Sequence, residues 1–492
     1  MDVILTLFLI LGLGAVLNII IGKLLKTKTR YGGLIASIFI IIAIAYTILY
    51  LESVPCTDCT MEAGILGSKL RVTLFNFYFI ILFESIILMA TIYSYGYFED
   101  EVSPVYYSLL ITILMGMIGV TVSDDLFTLY IFWELMALSS YSLVAYLKNW
   151  EAAEAGFKYL VMSTIGSLIV LYSFSIIFAN YGTLNIDILS QIMAHDISKK
   201  ALFIAGLGIA GFSVTAALVP FHTWLPDAHP AAPSPVSAIL SGIVIKTGMY
   251  AIILLIFSLF TGLAKNLGSL MIAFGLLTMT VANLMVLMQT DIKRFLAYSS
   301  IANMGYIAFG VGIASYALSI KLVEPALMAM TGALFHILNH AVSKSLAFLS
   351  TGYFIHEAKT RNITELEGIA LKMKYTGFSS IISLLNLAGV PPLSGFWGKL
   401  FIIIGTLALL SNPLILIGSL LFLANIFFAA GYYLWLIYRI TFKENSKLDV
   451  KEKSASMITA ELILALTCIM ITVLIPYFLD FLHKVSLLVL GV

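Results

Sequence analysis

PFHTWLPDAHPAAPSPVSAILSGIVIKTGMY, residues Pro220–Tyr250, begins as the polar, proline-broken end of one apolar segment and becomes another with Lys246 near its middle. Pro226, Pro230, Pro233 and Pro235, together with His222 and His229, interrupt an otherwise greasy stretch. Bilayer hydrocarbon tolerates broken backbone only where protein or a wet cavity covers it. It tolerates an ammonium only where the charge is paired or hydrated. A chain that keeps both features side by side points to movement of ions or protons through this place.

The composition around that stretch agrees. The chain has 492 residues, of which 61% are hydrophobic and 11% charged, with a mean hydropathy of +1.04. Soluble domains carry about 25% charged residues, so this is expected to be an all-α integral membrane protein. The net charge of +1 and the lack of a basic patch with interleaved aromatics give no sign of nucleic-acid binding. Cys56, Cys59 and Cys468 are too few and too scattered for an iron–sulfur cluster. Cys56 and Cys59 form an isolated C-x-x-C, read as a passive loop pair or an external disulfide ahead of a redox or metal site. No cofactor is expected in this chain. Met1–Gly22 lacks a basic start and reads as a first spanning helix, not a cleavable signal.

A crossing helix needs about 20 apolar residues, and that ruler yields about fourteen spans. They fall near 2–22, 31–51, 73–97, 104–122, 126–147, 156–180, 201–220, 236–260, 267–290, 295–316, 326–354, 376–410, 413–440 and 457–480. The twelfth is too long for one crossing and contains AGVPPLSGFWGK, which marks a broken helix. The seventh ends in VPFHTWLP. Broken helices at matching positions point to an inverted-repeat transporter. The expected division is an N-terminal three-helix segment (1–103), a first five-helix repeat (104–260), a second, inverted five-helix repeat (267–440), and a cytoplasmic loop with a C-terminal helix (441–492). Lysines and arginines crowd the loops of one side, from Lys23–Arg30 through Lys148, Lys293, Arg294, Lys359 and Arg361 to Lys443–Lys453. The basic side is cytoplasmic, which places both termini outside.

Some charges remain inside the spans. Glu134 lies well within LFTLYIFWELMALSSYSLVAY, where a carboxylate costs about 2.5–3.5 kcal/mol on insertion scales. It suits a group that gains and loses a proton; a structural hydrogen bond to a neighbouring helix is the alternative. Lys246 is too deep to snorkel, and burial penalises its charged form, as suits a relay; a structural ion pair is the alternative. His336, His340 and Lys344 recur every fourth residue, on one helix face over about 12 Å. A wet proton wire fits them, against a packing network or a zinc pair that lacks an obvious third ligand. Lys399, straight after GVPPLSGFWG, either ends such a wire or neutralises the carbonyls of the broken helix. His222, Asp227 and His229 are candidates for a hydrated mouth. Asp124 and Asp125, at a span boundary, read as solvated.

The blocks PFHTWLPDAHPAAPSPVSAILSGIVIKTGMY, TDIKRFLAYSSIANMGY, HILNHAVSKSLAFL and LAGVPPLSGFWGK resemble the signatures of the antiporter-like membrane subunits. That family comprises Mrp cation/proton antiporter subunits, the proton-pumping subunits of respiratory complex I, and their counterparts in membrane-bound hydrogenases and sulfur-reducing complexes. The resemblance covers roughly residues 70–440. It implies fourteen helices, inverted five-helix units and broken seventh and twelfth helices. It also implies translocation roles for Glu134, Lys246, His336, His340 and Lys399, and partners among other membrane subunits, with a peripheral redox arm in the redox-driven members. One position departs from the pattern: Thr215 stands where the family has a seventh-helix lysine that pairs with the glutamate. A hydroxyl does not switch a carboxylate's charge state as an ammonium does. The function expected is proton or Na⁺/H⁺ translocation within a multi-subunit complex in a prokaryotic cytoplasmic membrane. An Mrp-type antiporter component and a purely structural one are the alternatives.

Overall fold

The computed structural model describes residues 3–25, 30–53, 63–65, 68–98, 104–443 and 449–492. Cys56 and Cys59 lie outside them. Twelve helices among the described residues are long and apolar enough to cross a membrane. In chain order the first are α1 (Val3–Leu25), α2 (Arg30–Ser53), α3 (Leu74–Tyr97), α4 (Pro104–Val122), α5 (Leu126–Val144) and α6 (Trp150–Tyr181). A short hairpin, β1 (Ala63–Ile65) and β2 (Ser68–Leu70), precedes α3. A small helix, α7 (Ile186–Met193), then leads to α8 (Lys199–Thr215).

The seventh expected span is not one helix. α8 stops at Thr215, Pro220 follows in an irregular turn, and α9 (Leu225–Ala231) completes the crossing. Proline lacks the amide that the next turn needs. After Pro233 comes α10 (Ser234–Ile239), then a wide π turn (Leu240–Val244) and α11 (Ile245–Leu254), buried throughout except for Leu254. α12 (Ala264–Val286), α13 (Ile292–Ser319) and α14 (Val323–Ala358) follow. The short α15 (Ile369–Lys372) precedes the second break. There α16 (Lys374–Ala388) ends on Gly389 at φ +80°, the left-handed residue that closes a helix, and α17 (Ser394–Leu407) resumes the crossing. α18 (Pro413–Phe442) and α19 (Ala455–Val473) complete the set of long helices. The expected last span, 457–480, is divided: α19 ends at Val473 and a separate helix, α20 (Ile475–Leu490), starts with Pro476 in its first turn.

Local sequence explains the ends. Thr73 and Asn76 cap α3 reciprocally. Asp125 accepts from the amides of Phe127 and Thr128 at 3.0 and 2.8 Å and so caps α5, while Asp124 is buried with Arg71 3.9 Å away. The expectation that these two aspartates are merely solvated is corrected: four unpaired amides open every helix, and an acidic side chain is their natural acceptor.

α13 and α14 form the centre, buried along most of their length. α12 lies unusually close to α13. A β-carbon at Gly268 or Gly275 of α12, or at Gly305 or Gly312 of α13, would sit 2.5–2.6 Å from a backbone nitrogen of the other helix. Small residues at one repeated level let backbones touch where lipid gives no hydrophobic drive. α17 crosses α14 equally closely, with Gly398 against the backbone of His336. That crossing puts Lys399 beside the histidines.

Candidate buried polar axis

Lys246, Lys344 and Lys399 are 0%, 0% and 3% exposed. Each ammonium meets main-chain carbonyls. Lys246 donates to the Ser241 carbonyl inside the π turn. Lys344 donates to the Leu296 carbonyl at 3.1 Å and to the Ser299 hydroxyl. Lys399 donates to the Leu387 and Ala388 carbonyls at 2.9 and 3.4 Å, closing the broken end of α16, and lies 5.4 Å from the centre of the Tyr306 ring. A fourth lysine joins them. Lys293, expected in a solvated loop, is 3% exposed and donates at 2.8 Å to the Ala232 carbonyl of the proline loop. It opens α13 and points inward because the interrupted backbone there has carbonyls without helical partners.

Among the described residues, none of these lysines has a carboxylate within ion-pair distance. A neighbouring carboxylate would hold the proton in place. A carbonyl accepts from an amine as well as from an ammonium, so it keeps its contact in both charge states.

Uncharged side chains connect the lysines. The hydroxyls of Ser241 and Ser300 meet at 2.6 Å, and Ser300 donates at 2.8 Å to the same Leu296 carbonyl that Lys344 uses. Ser299, the other contact of Lys344, lies beside Tyr433, whose ring centre is 5.4 Å from the Lys344 ammonium. Asn303 donates to the Tyr433 hydroxyl at 3.3 Å, and its Oδ1 lies 3.0 Å from His336 Nε2. On the far side Tyr432 donates to Asn283 at 3.1 Å, and Asn283 donates at 3.1 Å to Tyr306, whose ring faces Lys399. The rings of His336 and His340 lie 6.2 Å apart. His336 Nδ1 and both nitrogens of His340 are buried without a partner among the described residues. Buried polar atoms are nearly always hydrogen-bonded, to water where protein does not reach.

The structure therefore brings Lys246, His336, His340, Lys344 and Lys399 into one region. Sequence reasoning missed the connectors. Their signal was present in LAYSSIAN: Ser299, Ser300 and Asn303 are polar residues within one turn of an apolar span.

Glu134 stands apart. It is partly exposed, its Oε1 is buried without a partner among the described residues, and Tyr130 lies beside it, one turn earlier. Thr215 is buried at the end of α8, so no cation faces Glu134 from that position. The mouth expectation is corrected in part. His229 is fully buried and stacks on Phe348 at 4.5 Å, because the proline loop folds inward. Asp227 is partly exposed but held by Lys158 at 3.1 Å and Arg294 at 3.0 Å. His222 is partly buried beside the Pro220 backbone, with Nδ1 lacking a partner among the described residues. Arg361 donates to the Pro230 carbonyl at 2.9 Å and pairs with Glu151 and Asp291, pinning the loop from outside.

A multi-pass helical membrane protein with paired helix breaks beside a buried lysine–histidine axis is the class that this geometry defines. The chain matches the family described as NADH:quinone oxidoreductase/Mrp antiporter, TM, over residues 123–424, and it belongs to that family. It is 30% identical to hydrogenase-4 component B of Escherichia coli over 82% of this chain and 62% of that protein. It is 30% identical to NADH-quinone oxidoreductase subunit N of Moorella thermoacetica over 72% of this chain and 73% of that one. It is 33% identical to the A subunit of the Na⁺/H⁺ antiporter of Alkalihalophilus pseudofirmus over 65% of this chain, but spans 40% of that longer protein. In three dimensions the whole chain superposes on 98% of a chain of the membrane-bound sulfane sulfur reductase, an archaeal respiratory membrane complex, with a TM-score of 0.88 and 28% identity. A chain of the Mrp complex from Dietzia, at 18% identity, shares the fold with the same TM-score and coverage.

Proposed function

We propose that this chain carries protons across a prokaryotic cytoplasmic membrane as the antiporter-like subunit of a multi-subunit complex. The observation that carries the reading is the connected set Lys246–Ser241–Ser300–Leu296–Lys344–Tyr433–Asn303–His336, buried throughout and with no carboxylate at ion-pair distance from its lysines among the described residues. Protons reach Lys246 and Lys344 from the basic side, pass the two histidines, and leave near Lys399. Residues 104–260 and 267–440 act as inverted five-helix units within a fourteen-span plan, each with its break next to this axis. The basic loops support a cytoplasmic side at the start of α6 and the ends of α9 and α14, with both termini outside. Hydrogenase, quinone-oxidoreductase and sulfur-reductase relatives favour a redox-driven partner arm whose centres lie in other chains.

Thr215 supports a second reading, in which transport is modified or lost. Without a seventh-helix lysine, Glu134 has no cation paired with it among the described residues. The test is Lys246→Ala in the intact complex, assayed for proton or Na⁺ movement in proteoliposomes. Abolished transport supports the first reading; transport at the wild-type rate supports the second.

A further inference from the structure

The family match ends at residue 424, but a buried carboxylate lies beyond it. Glu461 is on α19, about 9 Å along the helix from its start on the basic side. It is 0% exposed, with the Thr376 hydroxyl of α16 as its polar neighbour. α19 packs against α16, whose hydroxyls form a stripe at helical spacing: Thr376, Ser379, Ser380 and Ser383, then Asn386. All are 0–1% exposed. The Thr376 hydroxyl is beside Glu461, and the hydroxyls of Ser379 and Ser380 lack a hydrogen-bond partner among the described residues. The other titratable groups facing Glu461 are Tyr93 of α3, Tyr353 of α14 and Glu452, which accepts from the Thr376 amide at 2.7 Å. No cation pairs with it among the described residues.

The stripe ends at the axis. Ser383 donates to the Ser380 carbonyl at 2.7 Å, and Asn386 donates at 2.9 Å to Ser343, the neighbour of Lys344. The next residue, Leu387, offers the carbonyl that Lys399 holds. Apolar packing alone would not line one face of a half-helix with oxygen atoms, because each buried hydroxyl without a partner costs free energy. The span from Thr376 to Asn386 is about 15 Å, half the hydrocarbon core.

We infer that Glu461 loads protons from the basic side into a second route, which runs along α16 to Lys399 and joins the axis from the opposite half of the molecule. The step is a proton transfer only: water at the surface gives a proton to the Glu461 carboxylate, and water held by the stripe hydroxyls passes it to the Lys399 amine. This rests on the reading of the chain as a proton carrier.

The experiment uses the complex purified from its native membrane and reconstituted in proteoliposomes, comparing wild type, Lys246→Ala, Glu461→Gln and Glu461→Asp. Proton uptake is expected to fall about a hundredfold in E461Q, the loss typical of removing a positioned proton-transfer group, and to recover in E461D. Infrared difference spectra should show a carboxyl C=O band that E461Q removes, a signal that a purely structural side chain would not give. Should E461Q fail to assemble, Ser379→Ala/Ser380→Ala keeps the carboxyl and its band, and is expected to slow uptake about tenfold by removing hydrogen-bonding sites for the relay water. Wild-type uptake in both E461Q and the double serine variant, with K246A inactive, overturns the second route alone. Wild-type uptake in K246A overturns the underlying function. Loss of ²²Na⁺ uptake in E461Q with proton uptake intact also overturns the proposal, and makes Glu461 a sodium ligand.

Discussion

Asn303 shows how one neutral side chain serves the axis. Its amide bonds Tyr433 and its carbonyl oxygen meets His336. Asn303→Leu keeps the volume but leaves His336 Nε2 buried without a partner, a cost of about 1–3 kcal/mol. The expected result is a lower melting temperature of the solubilised complex together with slower proton uptake; an unchanged melting temperature would sink the assignment of that bond. Lys399 allows two roles to be separated. Lys399→Gln keeps an N–H donor for the Leu387 and Ala388 carbonyls but carries no proton, so the complex should assemble and not pump. Lys399→Met removes both, and assembly should suffer as well. Equal transport by K399Q and wild type would leave Lys399 as a cap for the broken helix and nothing more.

At the scale of elements, the close pairing of α12 with α13 holds the connectors in register. Gly275 and Gly305 each face backbone of the other helix. Gly305→Val therefore forces the helices apart. Overpacking of this kind costs about 1–3 kcal/mol or more, and it should show as reduced recovery of assembled complex and a lowered melting temperature. Gly431 has open space around its β-position, so Gly431→Ala is the control, expected to leave recovery unchanged. The breaks have a complementary role. Carbonyls freed in the proline loop at the end of α9, and at the break where α16 ends, are the acceptors for Lys293, Arg361 and Lys399. An unbroken helix would have offered none, and the lysines would then have lacked buried acceptors.

Across the whole molecule, Glu134 is informative because of where it lies. It is partly exposed on α5, and its neighbours Phe127, Ile131 and Leu138 are 54%, 51% and 51% exposed. A carboxylate on a lipid-facing surface costs about 2.5–3.5 kcal/mol, whereas relatives of this chain sit in complexes with other membrane subunits. A photo-crosslinker placed at Leu138 is expected to capture a neighbouring membrane subunit in the native complex; capture of lipid alone would place this face outward. Cysteine labelling of either terminus from the outside of intact cells tests the orientation drawn from the basic loops.

Much of this protein was legible in the residue order. Twenty-residue apolar runs set the spans, prolines and Gly389 set both breaks, and four-residue spacing put His336, His340 and Lys344 on one face. These features depend on neighbours along the chain, so the chain displays them. What it does not display is which side chain meets which carbonyl across helices. Lys293 looked like a loop charge and is buried; His229 looked like a mouth and stacks on Phe348; Glu134 looked central and lies at the side. Serines and asparagines carry no charge, so hydropathy passes over Ser300, Asn303 and the α16 stripe. Only the packing of α13, α14, α16 and α19 turns them into a continuous polar line, because desolvation leaves each of those groups dependent on the nearest partner in space.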